Sequence, residues 1–146
     1  MYVTYRPEDG EEQRWKFDPD KVRASKAEMI EKRFGENWDA WKVAVQQGNM
    51  RARRVLLWHL LTLAHSGLRF EDTPDFFAGE MLVEHSVDEL RDIRDRVEKR
   101  APGGDTRDQV LAALDVEITE AMAREEGAGV EPEGKAPSSG DANATR

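Results

Sequence analysis

Residues Asn49–His65, NMRARRVLLWHLLTLAH, constrain the fold more than any other part of the chain. Asn49 is a strong N-cap residue, and the seventeen-residue run that it opens has helical periodicity. On a helical wheel Leu56, Leu57, Leu60, Leu61, Leu63 and Ala64 cover well over half the circumference. Only a narrow polar strip is left, made of Arg51, Arg54, Thr62 and His65. A helix this apolar must be surrounded by other elements, because no single neighbour can cover it. Trp58 falls inside the polar strip, between Arg54 and Thr62, and invites two readings. It is either a core residue at the domain edge, or an exposed Trp flanked by Arg and Thr, the composition of a binding hot spot.

The elements that surround this helix announce themselves by their ends. Asn37 caps a helix with Trp38, Trp41, Ala44 and Val45 on one face, and Gly48 stops it. Upstream, Asp18-Pro19 reads as a helix start, with Ser25 as a later alternative. Val22, Met29, Ile30 and Phe34 share a face there, and Gly35 ends the helix. Residues 2–6 and 12–17 are β-prone runs around Pro7 and Gly10, the latter placed for positive φ. They predict a hairpin with Trp15 and Phe17 facing Val3 and Tyr5, which must lie on the helices because an isolated hairpin is marginal. Residues 68–83 read as a loop with a short helical turn near Phe76.

Ser86 with Glu89 forms a capping box, and the helix it opens buries Leu90, Ile93 and Val97 under a mixed-sign face. Ala101–Asp105 breaks the chain, after which Thr106 and Gln109 resemble a second capping box. The last helix carries a stripe of Val110, Leu111, Leu114, Ile118, Ala121 and Met122. That stripe either folds back on the core or docks on another chain. Residues 127–146 are rich in Gly, Ala, Pro and Ser and predict disorder. The reading is therefore a mainly α fold of about four to five helices with a short N-terminal β-hairpin. Its expected division is a helical domain over residues 1–100, a linker at 101–105, an amphipathic helix at 106–126 and a disordered tail at 127–146.

Composition narrows the function. The formal net charge of −8 repels a phosphate backbone, so no nucleic-acid partner is expected. With no cysteine, disulfides, thiolate nucleophiles and cysteine-type zinc sites are excluded. No stretch approaches the ~20 apolar residues of a membrane span, and no apolar signal core opens the chain. The expectation is a soluble protein, retained in its cell, with no membrane partner. His59, His65 and His85 lack metal-ligand spacing. No phosphate loop, nucleophile elbow or dinucleotide fingerprint occurs, so no cofactor, metal or catalytic residue is expected. Arg51-Ala52-Arg53-Arg54 is the one basic cluster; it fits ion pairs to Glu28, Glu31 or Glu36, an acidic partner, or a nucleic acid.

Several segments taken in order resemble a known family. They are Trp15-Lys16-Phe17-Asp18-Pro19-Asp20, Ala27-Glu28-Met29-Ile30-Glu31-Lys32, Trp38-Asp39-Ala40-Trp41 and Arg51 through Trp58. Leu68-Arg69-Phe70-Glu71-Asp72, Gly79 through Glu84 and the Asp88-Glu89-Leu90 helix start are similar too. Together, over about residues 12–100, they resemble the tail assembly chaperones of long, flexible-tailed (siphovirus-type) phages that infect actinobacteria. The resemblance implies a non-catalytic protein of the host cytoplasm, absent from the mature virion. It would coat the tape measure protein, keep it soluble and help recruit tail tube subunits. It also implies a longer frameshifted form sharing the N-terminal domain, with self-association a further expectation. The chain departs from the family at His59 and over Thr62–Gly67, where the family is more basic, so no charged contact is carried over there. Candidate partner-binding residues are Arg51, Arg54, Trp58, Thr62 and His65, together with Leu111, Leu114, Ile118 and Met122. The competing reading is a small acidic regulator or inhibitor that binds a host protein; a DNA mimic of that kind needs a single-sign face.

Overall fold

The computed structural model describes residues 1–127, so the predicted tail lies outside the described residues apart from Gly127, which ends the last helix. Strands β1 (Tyr2–Tyr5), β2 (Gln13–Lys16) and β3 (Met81–Glu84) accompany helices α1 (Ala24–Phe34), α2 (Trp38–Gln46), α3 (Met50–Thr62), α4 (Val87–Arg100) and α5 (Asp105–Gly127). The described residues form two compact units, one over Met1–Glu84 and the other from His85 onward.

In the first unit the sequence signals for helix ends operate as backbone chemistry. Asn37 Oδ1 accepts the Ala40 N–H at 2.9 Å, and Asn49 Oδ1 accepts the Ala52 N–H at 3.0 Å. Each satisfies a donor that the first helical turn cannot. Gly35 ends α1 in the left-handed region at φ 92°, returning its N–H to the Glu31 carbonyl. Asp18 caps only the single 3-10 turn Pro19–Lys21, so α1 starts at the later alternative, near Ser25. Gly10 does not take positive φ; Gly35 and Gly48 do.

The hairpin forms, but only Val3 lies opposite Trp15; Tyr5 lies opposite Gln13, and Phe17 falls just beyond β2 with its N–H on the Met1 carbonyl. The hairpin is not alone. Met81–Glu84, read from sequence as loop, adds to the other edge of β1 and makes an antiparallel sheet ordered β2-β1-β3. This pairing joins residues far apart in the chain, and no local pattern announces it. β1 thereby becomes a central strand, buried along its whole length. Two 3-10 turns, Phe70–Asp72 and Ala78–Glu80, flank Phe76 in place of a turn centred on it.

The core of this unit collects Val3 and Tyr5 from β1, Phe17, Ile30 and Phe34 from α1, Trp41 and Val45 from α2, and Met81 from β3. All surround α3, whose residues Val55–Leu61 are buried without interruption. Phe17 meets both Trp41 and His59 edge-on, and the Trp41 indole N–H donates to the Ala52 carbonyl at 3.1 Å. Burying apolar surface on every side of α3 is the largest stabilising term available to a chain this small. Met29 departs from its expected place and is exposed.

The second unit is a helical hairpin. Ser86 Oγ accepts the Glu89 N–H at 3.3 Å, while the Glu89 carboxylate takes the Ser86 hydroxyl rather than its backbone N–H. Val87, Leu90, Leu114 and Ala121 are buried together, with Ile93, Val97 and Ile118 packed beside them. The helices run antiparallel: Val87 N–H donates to Glu125, and Arg94 pairs with Asp115 at 2.6 Å. Thr106 lies inside the first turn of α5, so it does not cap that helix. The chain therefore divides at Glu84–His85, not after residue 100. The apolar stripe of α4 is shared with α5, which makes residues 101–104 the turn of a hairpin rather than a linker between domains.

Candidate partner-binding site

The polar strip of α3 does not survive as one surface. Trp58, the residue that most suggested a contact, is 6% exposed. Its indole N–H donates to the Leu68 carbonyl at 3.0 Å, and Phe70 packs edge-on against it at 5.7 Å. The segment after α3 folds back over this side of the helix and covers it, so the hot-spot reading of Trp58 is corrected to a core role. Thr62 is half-buried and spends its hydroxyl on the His59 carbonyl of its own helix. His65 is exposed beyond the end of α3, beside a depression lined by Arg14, Trp15 and Leu61. Its surroundings are those of β2, not those of Arg51 and Arg54.

At the other end of the strip three arginines come together. Arg51 Nη2 donates to the Arg33 carbonyl at 3.3 Å, in the last turn of α1 just before Gly35. The guanidinium of Arg54 lies 4.9 Å from the centre of the Phe70 ring. That of Arg33 lies 5.1 Å from the same ring and 6.0 Å from Trp58. Glu71 pairs with Arg33 at 3.2 Å. The expected ion pairs to Glu28, Glu31 and Glu36 do not form. Glu31 accepts the Trp38 N–H instead, and Arg53 donates to the carbonyls of Val45 and Met81. The Nε of Arg54 is buried with no hydrogen-bond partner among the described residues. Arg33 and Phe70 were missed by sequence reading, since one sits in the last turn of α1 and the other in a loop. Only the tertiary fold carries both to Arg54.

The stripe of α5 is largely spoken for. Leu114 and Ile118 face α4, which corrects their assignment to an outside partner. Leu111 is half-buried, and Met122 is 40% exposed with its sulfur 3.8 Å from Arg91 Nη2. Near the hairpin turn, Val97, Pro102, Gly103, Arg107 and Val110 line an open, apolar cleft of ≈ 520 Å³.

His59 is the one histidine within the main core, beside a small cavity of ≈ 70 Å³ shared with Lys26, Met29 and Thr62. Burial, reinforced by the Lys26 charge, pushes its pKa below the ordinary histidine value. Among the described residues no group of His, Cys, Asp or Glu is arranged to hold a metal ion. No described helix is long and apolar enough to cross a membrane. No known family, curated protein or solved structure matches this chain.

Proposed function

We propose that this chain is a non-catalytic tail assembly chaperone of a long-tailed phage of actinobacteria. In this reading it binds the tape measure protein in the host cytoplasm, keeps it soluble and assists tail tube assembly around it. The observation that carries the reading is where the resembling segments lie. All but Asp88-Glu89-Leu90 fall within Met1–Glu84. They supply Phe17, Ile30, Trp41, Val55–Trp58 and Met81 to a single core. Scattered surface matches would say little, whereas segments that jointly build one core are what a shared domain leaves behind.

The physical task suits such a molecule. A tape measure protein presents long amphipathic stripes that aggregate when uncovered, and a small acidic domain binding repeatedly along them gains avidity from many weak contacts. The reading extends to a longer frameshifted form and to contacts with tail tube subunits. The competing view of an acidic, DNA-mimicking inhibitor is disfavoured by α4, where Arg94 pairs with Asp115 and Glu98, and Lys99 pairs with Asp95. That surface alternates in sign.

Co-expression with the tape measure protein of the same genome tests the proposal. The soluble fraction of that protein is expected to rise several-fold, and the two are expected to co-purify. An unchanged soluble fraction sinks the reading.

A further inference from the structure

Arg33, Arg51 and Arg54 are gathered from two helices onto one face, and among the described residues only Glu71 answers them with a carboxylate. We propose that this face, floored by Phe70, is a docking site for an acidic segment of a partner protein, whose carboxylates are received by the guanidinium groups of Arg51 and Arg54. The inference does not depend on the chaperone reading.

Three features of the geometry support it. First, Arg33 is answered by Glu71, but the contacts that hold Arg51 and Arg54 do not neutralise their charges. Arg51 is tethered by a neutral carbonyl, and Arg54 by an aromatic ring. Two guanidinium groups with no carboxylate partner among the described residues are thereby held on one helix of a chain whose net charge is −8, and a carboxylate can pair with them. Second, the guanidinium of Arg54 is already stacked, and that of Arg51 already hydrogen-bonded. Much of the rotamer entropy that an arginine loses on binding has thus been given up during folding, which favours affinity. Third, Arg51 and Arg54 are three apart on α3, so they project from the same side of the helix. Arg51 also sits in the first turn, where the helix dipole adds to the attraction for an anion.

The same geometry favours a carboxylate partner over a nucleic acid. Single-stranded nucleic acids need open aromatic faces on which bases stack. Here the Phe70 ring already has two guanidinium groups over it and Trp58 at its edge. A polyphosphate would also meet the repulsion of the remaining acidic surface, whereas a short acidic peptide need touch only this patch. Planar guanidinium groups match planar carboxylates in paired hydrogen bonds. The fitting occupant is a segment with two Asp or Glu side chains about one helical turn apart.

The test titrates the whole chain, at low salt, with a fluorescein-labelled peptide of Glu-Ala-Ala-Glu repeats, followed by anisotropy and by the Arg Nε–H resonances. Saturable binding is expected, with the Arg51 and Arg54 resonances moving first. Arg51→Glu should weaken it by roughly tenfold or more, as loss and reversal of a charge-assisted contact does. Arg54→Lys keeps the charge but loses the planar stack, and should weaken binding several-fold while leaving the chain folded. Arg6→Ala, at the hairpin turn, should change nothing. The proposal is overturned by absence of binding, by wild-type affinity in folded Arg51→Glu and Arg54→Lys, or by equal loss in Arg6→Ala. It is overturned as well if a single-stranded DNA of matching length binds more tightly than the peptide through the same arginines.

Discussion

Trp58 illustrates how one hydrogen bond can decide a residue's role. Its indole would be costly to bury without an acceptor, and the Leu68 carbonyl at 3.0 Å supplies one. The apolar remainder of the ring then packs against Phe70, out of water. Trp58→Phe should therefore cost about 1 kcal/mol through the lost bond and small volume change. Trp58→Ala should cost ~3–5 kcal/mol through the cavity it leaves. Denaturant unfolding followed by circular dichroism measures both. A cost in Trp58→Ala near zero, combined with weakened partner binding, would return Trp58 to the surface. Sequence placed this residue correctly on the helix, in line with Arg54 and Thr62. It could not show that residues 66–70 return to cover it, because that depends on the path of the following chain.

At the scale of elements, local chemistry was largely readable. Asn37, Asn49 and Ser86 each accept the backbone N–H three residues on. Their side chains are short enough to reach their own helix, so no tertiary information is needed. Gly35 ends α1 because only a residue without a Cβ takes φ 92° at no cost. The stripe of α5 was equally plain, but its partner was not. Periodicity states that a face must be covered and leaves open what covers it. Here α4 does so, and the two faces of α5 should respond differently to truncation. Leu114→Ala should cost ~2–5 kcal/mol, seen as faster hydrogen exchange throughout α4 and α5. Val116→Ala, 58% exposed on the same helix, should stay within about 0.5 kcal/mol. Equal effects would mean that Leu114 does not pack as described. The missed third strand has the opposite character: its residues satisfy no periodicity of their own and gain their role from pairing with β1.

On the scale of the whole molecule, the division at Glu84–His85 has an energetic consequence. The larger core draws every buried member from residues 1–81, including the apolar residues of α3 from Ala52 to Leu61. Among the described residues from His85 onward, the buried hydrophobic residues are only Val87, Leu90, Leu114 and Ala121. A fragment of residues 1–84 should keep a cooperative thermal transition and its near-ultraviolet tryptophan signal. A fragment of residues 85–127 should be only partly helical, since so small a core seldom outweighs the entropy of ordering two helices. Loss of cooperative melting in the 1–84 fragment would show that the two units do not stand as separate folding bodies.

From sequence alone come the mainly helical class, most helix ends, the presence of the hairpin and the need for α3 to be surrounded. Each follows from interactions between residues a few positions apart, or from the period of a face, and such effects are written directly in residue order. Tertiary structure alone decided that Trp58 is covered, that β3 completes the sheet, that α4 takes the stripe of α5, and that Arg33 and Phe70 join Arg51 and Arg54. Each of those is a contact between segments distant in the chain. Its existence depends on how the intervening backbone reverses, which no local pattern of charge or hydrophobicity records.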